Sequence, residues 1–321
     1  MGTIIRIGTR ESQLAIWQAT AVKDLLAANG FAVELIPIKS EGDIDLQTPL
    51  YEMGVQGIFT RSLDLALLHK KIDLAVHSMK DVPTQLPSGI AQAAVLKRGP
   101  ARDLLVYKGD RETISNELGF VNGKWTNSTI HHSPFIIATS SIRRKAQWLN
   151  RYPHHQIENL RGNVNTRLRK LQSENWNGAI FAQAGLERIQ LRPEQSVELD
   201  WMLPAPAQGA IMVAAREDDK HSIAACQHFN DKPTALCTKI ERDFLRTLLG
   251  GCSTPISAFA EIDNNQVNFR GNILSVDGKD KVEIDLRQDI AGLDELGIKA
   301  AAKILEKGGR AIADSIRHAT K

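Results

Sequence analysis

Several things that would fix the class of this protein at once are scarce or missing. Only three cysteines, Cys226, Cys237 and Cys252, occur in 321 residues, and no two of them stand in a CxxC spacing. The odd number argues against a closed disulfide framework and the spacing against a zinc cluster, so no metal is expected. Reduced thiols in a cytoplasmic protein fit better. No apolar run reaches the roughly 18 residues that a membrane-spanning helix needs. The opening MGTIIRIGTR has no extended apolar stretch behind a basic one, so neither a membrane span nor a secretory leader is expected. Aromatic residues are few (5%), and 40 basic residues face 37 acidic ones, for a net charge of +3. That balance, without interleaved aromatics, argues against a nucleic-acid binder.

What is present is the composition of an ordinary globular protein, 42% apolar and 24% charged, long enough for two or three domains. The first ninety residues alternate strand and helix patterns. Thr3 to Gly8 is strand-like, and Glu11 to Asn29 sets Leu14, Trp17, Val22 and Leu25 at helical spacing, with Gly30 as a stop. Phe31 to Ile38 reads as strand, Ile58 to Lys71 as helix and Asp73 to Met79 as strand before Val82-Pro83. This β-α-β-α-β order predicts a parallel sheet with helices on its faces. A second α/β unit begins at Asp103, interrupted by a polar loop over residues 119–134, with strand into helix at 135–149 and again through 156–172 and 179–183. Residues 203–210 form a hinge-like stretch opening into the apolar 211–215. Beyond it the pattern turns α+β: helix-rich from 218 to 250, antiparallel strands at 267–274 and 282–286, and a closing helix over 293–307. The expected domains are therefore residues 1–102 with 203–220, residues 103–202, and residues 221–321.

Charge is uneven along the chain. Residues 142–170 carry eight Lys or Arg and a single acid, Glu158. Two turns in this stretch share a device. In Thr139-Ser140-Ser141 and again in Leu160-Arg161-Gly162-Asn163, small polar residues open a helix whose first turn carries arginine: Arg143 and Arg144, then Arg167. Free N–H groups at such a turn attract an anion. Arginines there oppose the helix dipole, a cost that an anionic ligand offsets. Arginine forks match carboxylates or phosphates. Thr9-Arg10-Glu11-Ser12 is a further turn of this type, although Ser12 as a plain helix cap accounts for it equally well. His77-Ser78-Met79-Lys80-Asp81 ends an aliphatic strand, where open α/β sheets place their ligand crevice. Gly250-Gly251-Cys252 holds a thiol in a glycine turn, as a nucleophile or an attachment point; Cys226 and Cys237 read as small buried hydrophobes.

Taken in order, IGTRESQLAIWQA (7–19), HSMKDVP (77–83), ATSSIRRKAQ (138–147), LRGNVNTRL (160–168), AGLERI (184–189), PAQGA (206–210) and LGGCSTPI (249–256) resemble the porphobilinogen deaminase family along nearly the whole chain. The resemblance implies two periplasmic-binding-protein-like α/β domains flanking a cleft, plus a smaller C-terminal α+β domain. It implies a dipyrromethane cofactor held as a thioether on Cys252, and porphobilinogen as substrate of a cytoplasmic monomer. Four porphobilinogens would condense with loss of ammonia to give hydroxymethylbilane. Asp81 matches the family's catalytic aspartate, and Ser78 and Lys80 its cofactor contacts. Arg10, Ser12, Thr139, Ser140, Ser141, Arg143, Arg144, Arg161, Gly162, Arg167, Arg188 and Gln208 match its cofactor- and substrate-binding positions. The chain departs from the family at Glu41, Gln56, Arg61 and the Pro206-Ala207 of PAQGA, and residues 119–134 look inserted. A non-catalytic two-lobed protein binding an anionic ligand is the alternative, but it leaves Cys252 without a role.

Overall fold

The computed structural model describes residues 4–39, 60–121, 124–126, 135–248, 254–293 and 295–319. Glu41, Gln56, Cys252 and most of the 119–134 insertion lie outside them.

The first lobe forms where apolar alternation and capping agree. Strand β1 (Ile5–Thr9) buries Ile5 and Ile7 and leads into helix α1 (Gln13–Ala28). The Ser12 hydroxyl accepts the Ala15 N–H at 3.3 Å, satisfying a first-turn donor that would otherwise lack a partner. Gly30, at φ +85°, takes the left-handed conformation that ends the helix. The buried stripe of α1 runs through Ala15, Ala19, Val22 and Leu26, rotated from the expected one, and leaves Trp17 exposed. Then follow β2 (Val33–Pro37), α2 (Arg61–Leu68), β3 (Leu74–Ser78) and β4 (Ile90–Val95).

The second lobe comprises β5 (Asp103–Tyr107), α3 (Arg111–Leu118), the small hairpin β6 (Phe120–Val121) and β7 (Lys124–Trp125), β8 (Ile136–Ala138), α4 (Ile142–Arg151), β9 (Gln156–Glu158), α5 (Val164–Ser173), β10 (Gly178–Ala182), α6 (Gln183–Arg188) and β11 (Ser196–Glu198). The chain then returns to the first sheet as β12 (Ile211–Arg216). Spatial order is β2-β1-β3-β12-β4 in the first sheet and β11-β5-β10-β8-β9 in the second. Each sheet has apolar clusters on both faces. The strands predicted to be parallel, β1, β2 and β3, are so, but neither sheet is wholly parallel: β12 runs antiparallel between β3 and β4, and β5 antiparallel to β10 and β11. These strands arrive from distant sequence, and local periodicity carries no direction. The lobes are thus joined by two crossovers, residues 96–102 outward and 203–210 back.

The third domain packs α8 (Lys232–Leu248), α9 (Leu296–Ile304) and α10 (Arg310–Ala319) on an antiparallel sheet of β13 (Ile256–Asp263), β14 (Gln266–Leu274) and β15 (Lys281–Asp289). The expected single closing helix is two: Gly308, at φ 102°, breaks it, and α10 buries Ile312, Ala313 and Ile316 beyond. Helix α7 (Lys220–Gln227) sits with the first lobe, not the third domain, because Ala225 and Cys226 complete the first-lobe core beside Ile223 and Phe229.

Helix α4 of the second lobe docks on the third domain. Gln147 Nε2 donates to Ser257 Oγ at 3.0 Å, and Asn150 Nδ2 to the Gly278 carbonyl at 2.7 Å. Gly278 lies so close that a Cβ there would stand 2.5 Å from the Ala146 carbonyl oxygen, and its φ is +76°. Gly278→Ala should therefore cost about 1–3 kcal/mol, combining left-handed strain with a backbone clash. A lowered thermal midpoint checks this; an unchanged one refutes the close docking.

Candidate active site between the lobes

Three strand-to-helix turns and the end of β3 converge where the lobes face each other. The Asn165 Nδ2 at the start of α5 donates to Gln13 Oε1 at the start of α1, 3.0 Å across the gap. Within the turns, most small polar groups serve the fold. Ser141 Oγ caps α4 by accepting the Arg144 N–H at 3.4 Å, and Thr139 Oγ1 accepts the Ser141 N–H at 3.2 Å. Ser140 Oγ donates to the Leu160 carbonyl at 2.7 Å, tying the second turn to the third. Gly162 has φ +111°, and a Cβ on it would meet Thr166 Cγ2 at 2.7 Å, so only glycine fits there. Its carbonyl accepts from Arg167 Nε at 2.7 Å.

The centre of the arrangement is a residue that the sequence reading named only as a domain boundary, Asp103. Its carboxylate is fully buried and accepts from Arg143 Nη2 at 2.8 Å, from Arg144 Nη2 at 2.7 Å and Nε at 3.1 Å, and from Gln208 Nε2 at 2.9 Å. Arg143 and Arg144, expected as forks open to ligand, are both buried against this carboxylate. Their remaining bonds reach the Leu203 and Ile180 carbonyls at 2.8 Å each, while Arg143 Nε is buried without a partner among the described residues. The only signal for Asp103 was an acid heading an otherwise apolar strand. Burial alone would raise its pKa, but the two arginines, and Lys80 with them, outweigh that and hold it well below the usual carboxylate range.

Gln208 carries this network across the hinge. It is fully buried, and its Oε1 accepts from Lys80 Nζ at 3.3 Å. Lys80 and Asp81 lie in the single 3-10 turn Met79–Asp81 that follows β3. Burial, together with nearby Arg144, pushes Lys80 down to about 8. Burial, with Arg144 next, brings Arg167 down to about 10, while Asp81 pulls the other way and Arg161 and Arg10 add to the repulsion. His77 is pushed down to about 4, by burial first and then by Arg10, so it is a neutral imidazole. Ser78 Oγ is hydrogen-bonded to Gln18 Nε2 at 2.9 Å. Arg188 is turned to the hinge: Nη2 donates to the Gly209 carbonyl at 2.6 Å, and its guanidinium lies over the Trp17 ring at 5.7 Å. Thus Arg10, Lys80, Arg143, Arg144, Arg161 and Arg167 gather about two carboxylates, Asp81 and Asp103. Cations crowded and desolvated in this way are relieved by a ligand bearing several carboxylates. A cavity of about 320 Å³ elsewhere on the second lobe, lined by residues such as Tyr107, Arg111 and Trp125, includes none of these groups.

Fold and charge define a two-lobed α/β protein with a cluster of cations where its lobes face each other. Residues 5–224 match the family model described as porphobilinogen deaminase, dipyromethane cofactor binding domain, and residues 235–306 match the porphobilinogen deaminase C-terminal domain. The chain is 38% identical over 316 residues to the porphobilinogen deaminase of Trichlorobacter lovleyi, covering 97% of this chain and 96% of that one. It is 37% identical over 317 residues to that of Desulforamulus reducens, covering 98% of each. Among solved structures, the methionine binding protein MetQ superimposes with a TM-score of 0.43 at 13% identity, covering 72% of this chain and 92% of that one. The chain belongs to the porphobilinogen deaminase family, a family of transferases, and carries its dipyrromethane-cofactor domain.

Asp103→Asn leaves two buried guanidiniums uncompensated and should destabilise the protein by about 3–5 kcal/mol. The folded carboxyl is depressed relative to the unfolded chain. Its contribution is therefore present above the ordinary carboxylate range and is lost only as pH falls through the lower folded value. A stability gap between wild type and variant that is full at neutral pH and narrows in strong acid checks this; a gap that widens in acid refutes it.

Proposed function

We propose that this protein condenses four porphobilinogen molecules, losing ammonia from each, and releases hydroxymethylbilane by hydrolysis with one water of the bond to its primer, a dipyrromethane attached to Cys252, in a cytoplasmic monomer. The observation that carries this reading is Asp81 set among desolvated cations in the interlobe gap. The donor set suits the cofactor, whose acetate and propionate side chains are anions for Arg10, Lys80, Arg161 and Arg167 to hold. When bound, the dipyrromethane supplies the pyrrole α-carbon on which the chain grows. Two buried free thiols, Cys226 and Cys237, pushed up to about 12 and about 11 by burial first, are too weakly acidic to serve readily as the attachment point.

The roles follow from charge. As ammonia leaves porphobilinogen, positive charge develops on the pyrrole that remains, and the half-buried Asp81 carboxylate opposes it. The same carboxylate accepts the proton released when the coupled ring regains aromaticity. Lys80 and Arg167 draw the substrate carboxylates to either side of Asp81. Ser12, Ser78, Thr139, Ser140 and Ser141 keep the turns in shape, and Gly162 lets the α5 turn close on Arg167. Arg143 and Arg144 supply positive field from below, held on Asp103. Arg188 and Gln208 set the hinge.

Asp81→Asn should lower kcat by about a hundredfold or more while leaving the cofactor in place by intact mass; wild-type turnover would refute the assignment. Cys252→Ser should give protein without covalent pyrrole, and pyrrole surviving denaturation in that variant would move the anchor elsewhere. Lys80 is charged below about 8 and neutral above it, so KM for porphobilinogen should rise as pH passes 8. Lys80→Met should flatten that rise, and a wild-type profile in the variant would remove Lys80 from substrate binding.

A further inference from the structure

The turn bearing Lys80 and Asp81 is held from outside its own lobe. Arg242, on α8 of the third domain, donates from Nη1 to the Val82 carbonyl at 2.9 Å and more weakly to the Met79 carbonyl at 3.4 Å, and from Nη2 to the Pro83 carbonyl at 2.6 Å. The gripped carbonyls lie on both sides of Lys80 and Asp81 in the chain. Within the turn the Val82 N–H donates to the Met79 carbonyl at 3.2 Å. Three carbonyls turned toward one point are a demand that a guanidinium meets, because its donors diverge in a fixed plane; an ammonium offers three donors from one atom and spans less.

The neighbouring residue shows what α8 is referenced to. Glu241 is fully buried and accepts from Arg98 of the outward crossover at 2.6 Å and 3.1 Å, from the Ala207 N–H of the return crossover at 2.6 Å, and from the Ala260 N–H of β13 at 2.7 Å. One helix turn thus fixes both crossovers and, through Arg242, the Asp81 turn. The same helix ends at Leu248, four positions before Cys252.

We infer that Arg242 is a positioning residue for the reaction: it sets Asp81 at a fixed place relative to the helix that leads to the cofactor anchor. Arg242 does not touch substrate and acts through the backbone of residues 79–83. The inference rests on the reading of Asp81 as the catalytic carboxylate and Cys252 as the anchor.

The test uses cofactor-loaded Arg242→Met and Arg242→Lys beside Asp81→Asn, with kcat expressed per molecule carrying cofactor by intact mass. Misplacing a catalytic group by about an ångström costs roughly a hundredfold in rate, so Arg242→Met should lose about that much kcat while KM changes by less than about threefold. Arg242→Lys should fall between it and wild type. Hydrogen–deuterium exchange of the peptide spanning 79–83 should quicken in Arg242→Met while β3 stays protected. A kcat near wild type in Arg242→Met overturns the inference even if exchange quickens, since the grip would then be structural only. Should Arg242→Met fail to accumulate, Arg242→Lys decides: full kcat with unaltered exchange overturns it as well. If instead Asp81→Asn turns over normally, the assignment of Asp81 has failed and the inference falls with it, an outcome distinct from wild-type kcat in Arg242→Met beside an impaired Asp81→Asn.

Discussion

The buried carboxylate of Asp103 is the interaction on which the rest of the cleft depends. Two adjacent arginines at the start of a helix repel each other and oppose the helix dipole, and burying both would be prohibitive without a counter-ion. Asp103 supplies it from the first residue of β5, so the α4 turn is pinned to the sheet by charge as well as by packing. A buried ion pair of this kind contributes little net stability compared with an apolar substitute, but it tolerates only one geometry. That specificity is what a site for several carboxylates requires. The network extends through Gln208 to Lys80, so a lobe-one cation and the lobe-two arginines share one hydrogen-bonded frame across the hinge.

A second buried carboxylate, Glu241, does the same for the hinge. Its four hydrogen bonds join both crossovers and β13, and the Arg98 guanidinium it holds also lies over the Phe259 ring at 4.8 Å. The third domain is therefore no appendage. It contacts the first lobe through α8 and the second through Gln147, Asn150 and Gly278, and so fixes both lobes relative to the stretch that precedes Cys252.

Much of this was legible in the sequence, for identifiable reasons. Ser12, Ser141 and Asn163 cap the helices that their residue types announce, and Gly30 and Gly162 take the left-handed backbone that only glycine adopts freely. The alternation of strands and helices gave both α/β lobes, and Cys226 and Cys237 are the buried hydrophobes they read as. Long-range pairings were not legible. Nothing local shows that β12 inserts between β3 and β4, or that α7 fills the first core. The arginine turns were visible as charge, but their partner, Asp103, lies about forty residues earlier, and one acid at a strand head carries no pattern. The same holds for Arg242, whose acceptors are backbone carbonyls and leave no mark in the sequence.

The two carboxylates of the cleft make the final point. Asp81 and Asp103 are the same chemical group among the same cations, yet only one suits the proposed reaction. Asp103 is excluded from water and saturated by guanidiniums, so its charge is fully compensated and its lone pairs are engaged. A carboxylate in that state cannot respond to a new positive charge or take up a proton. Asp81 lies at the end of a short turn, half-buried, with Lys80 beside it bonded to Gln208. Its charge is still available to a cation arriving in the gap. Environment divides the labour between identical groups: the saturated carboxylate organises the arginines, and in the proposed reaction Asp81 is the one that meets the substrate. A site for cationic chemistry on a polyanion needs both, since without Asp103 the arginines would compete for Asp81 and neutralise the group that the proposed reaction uses.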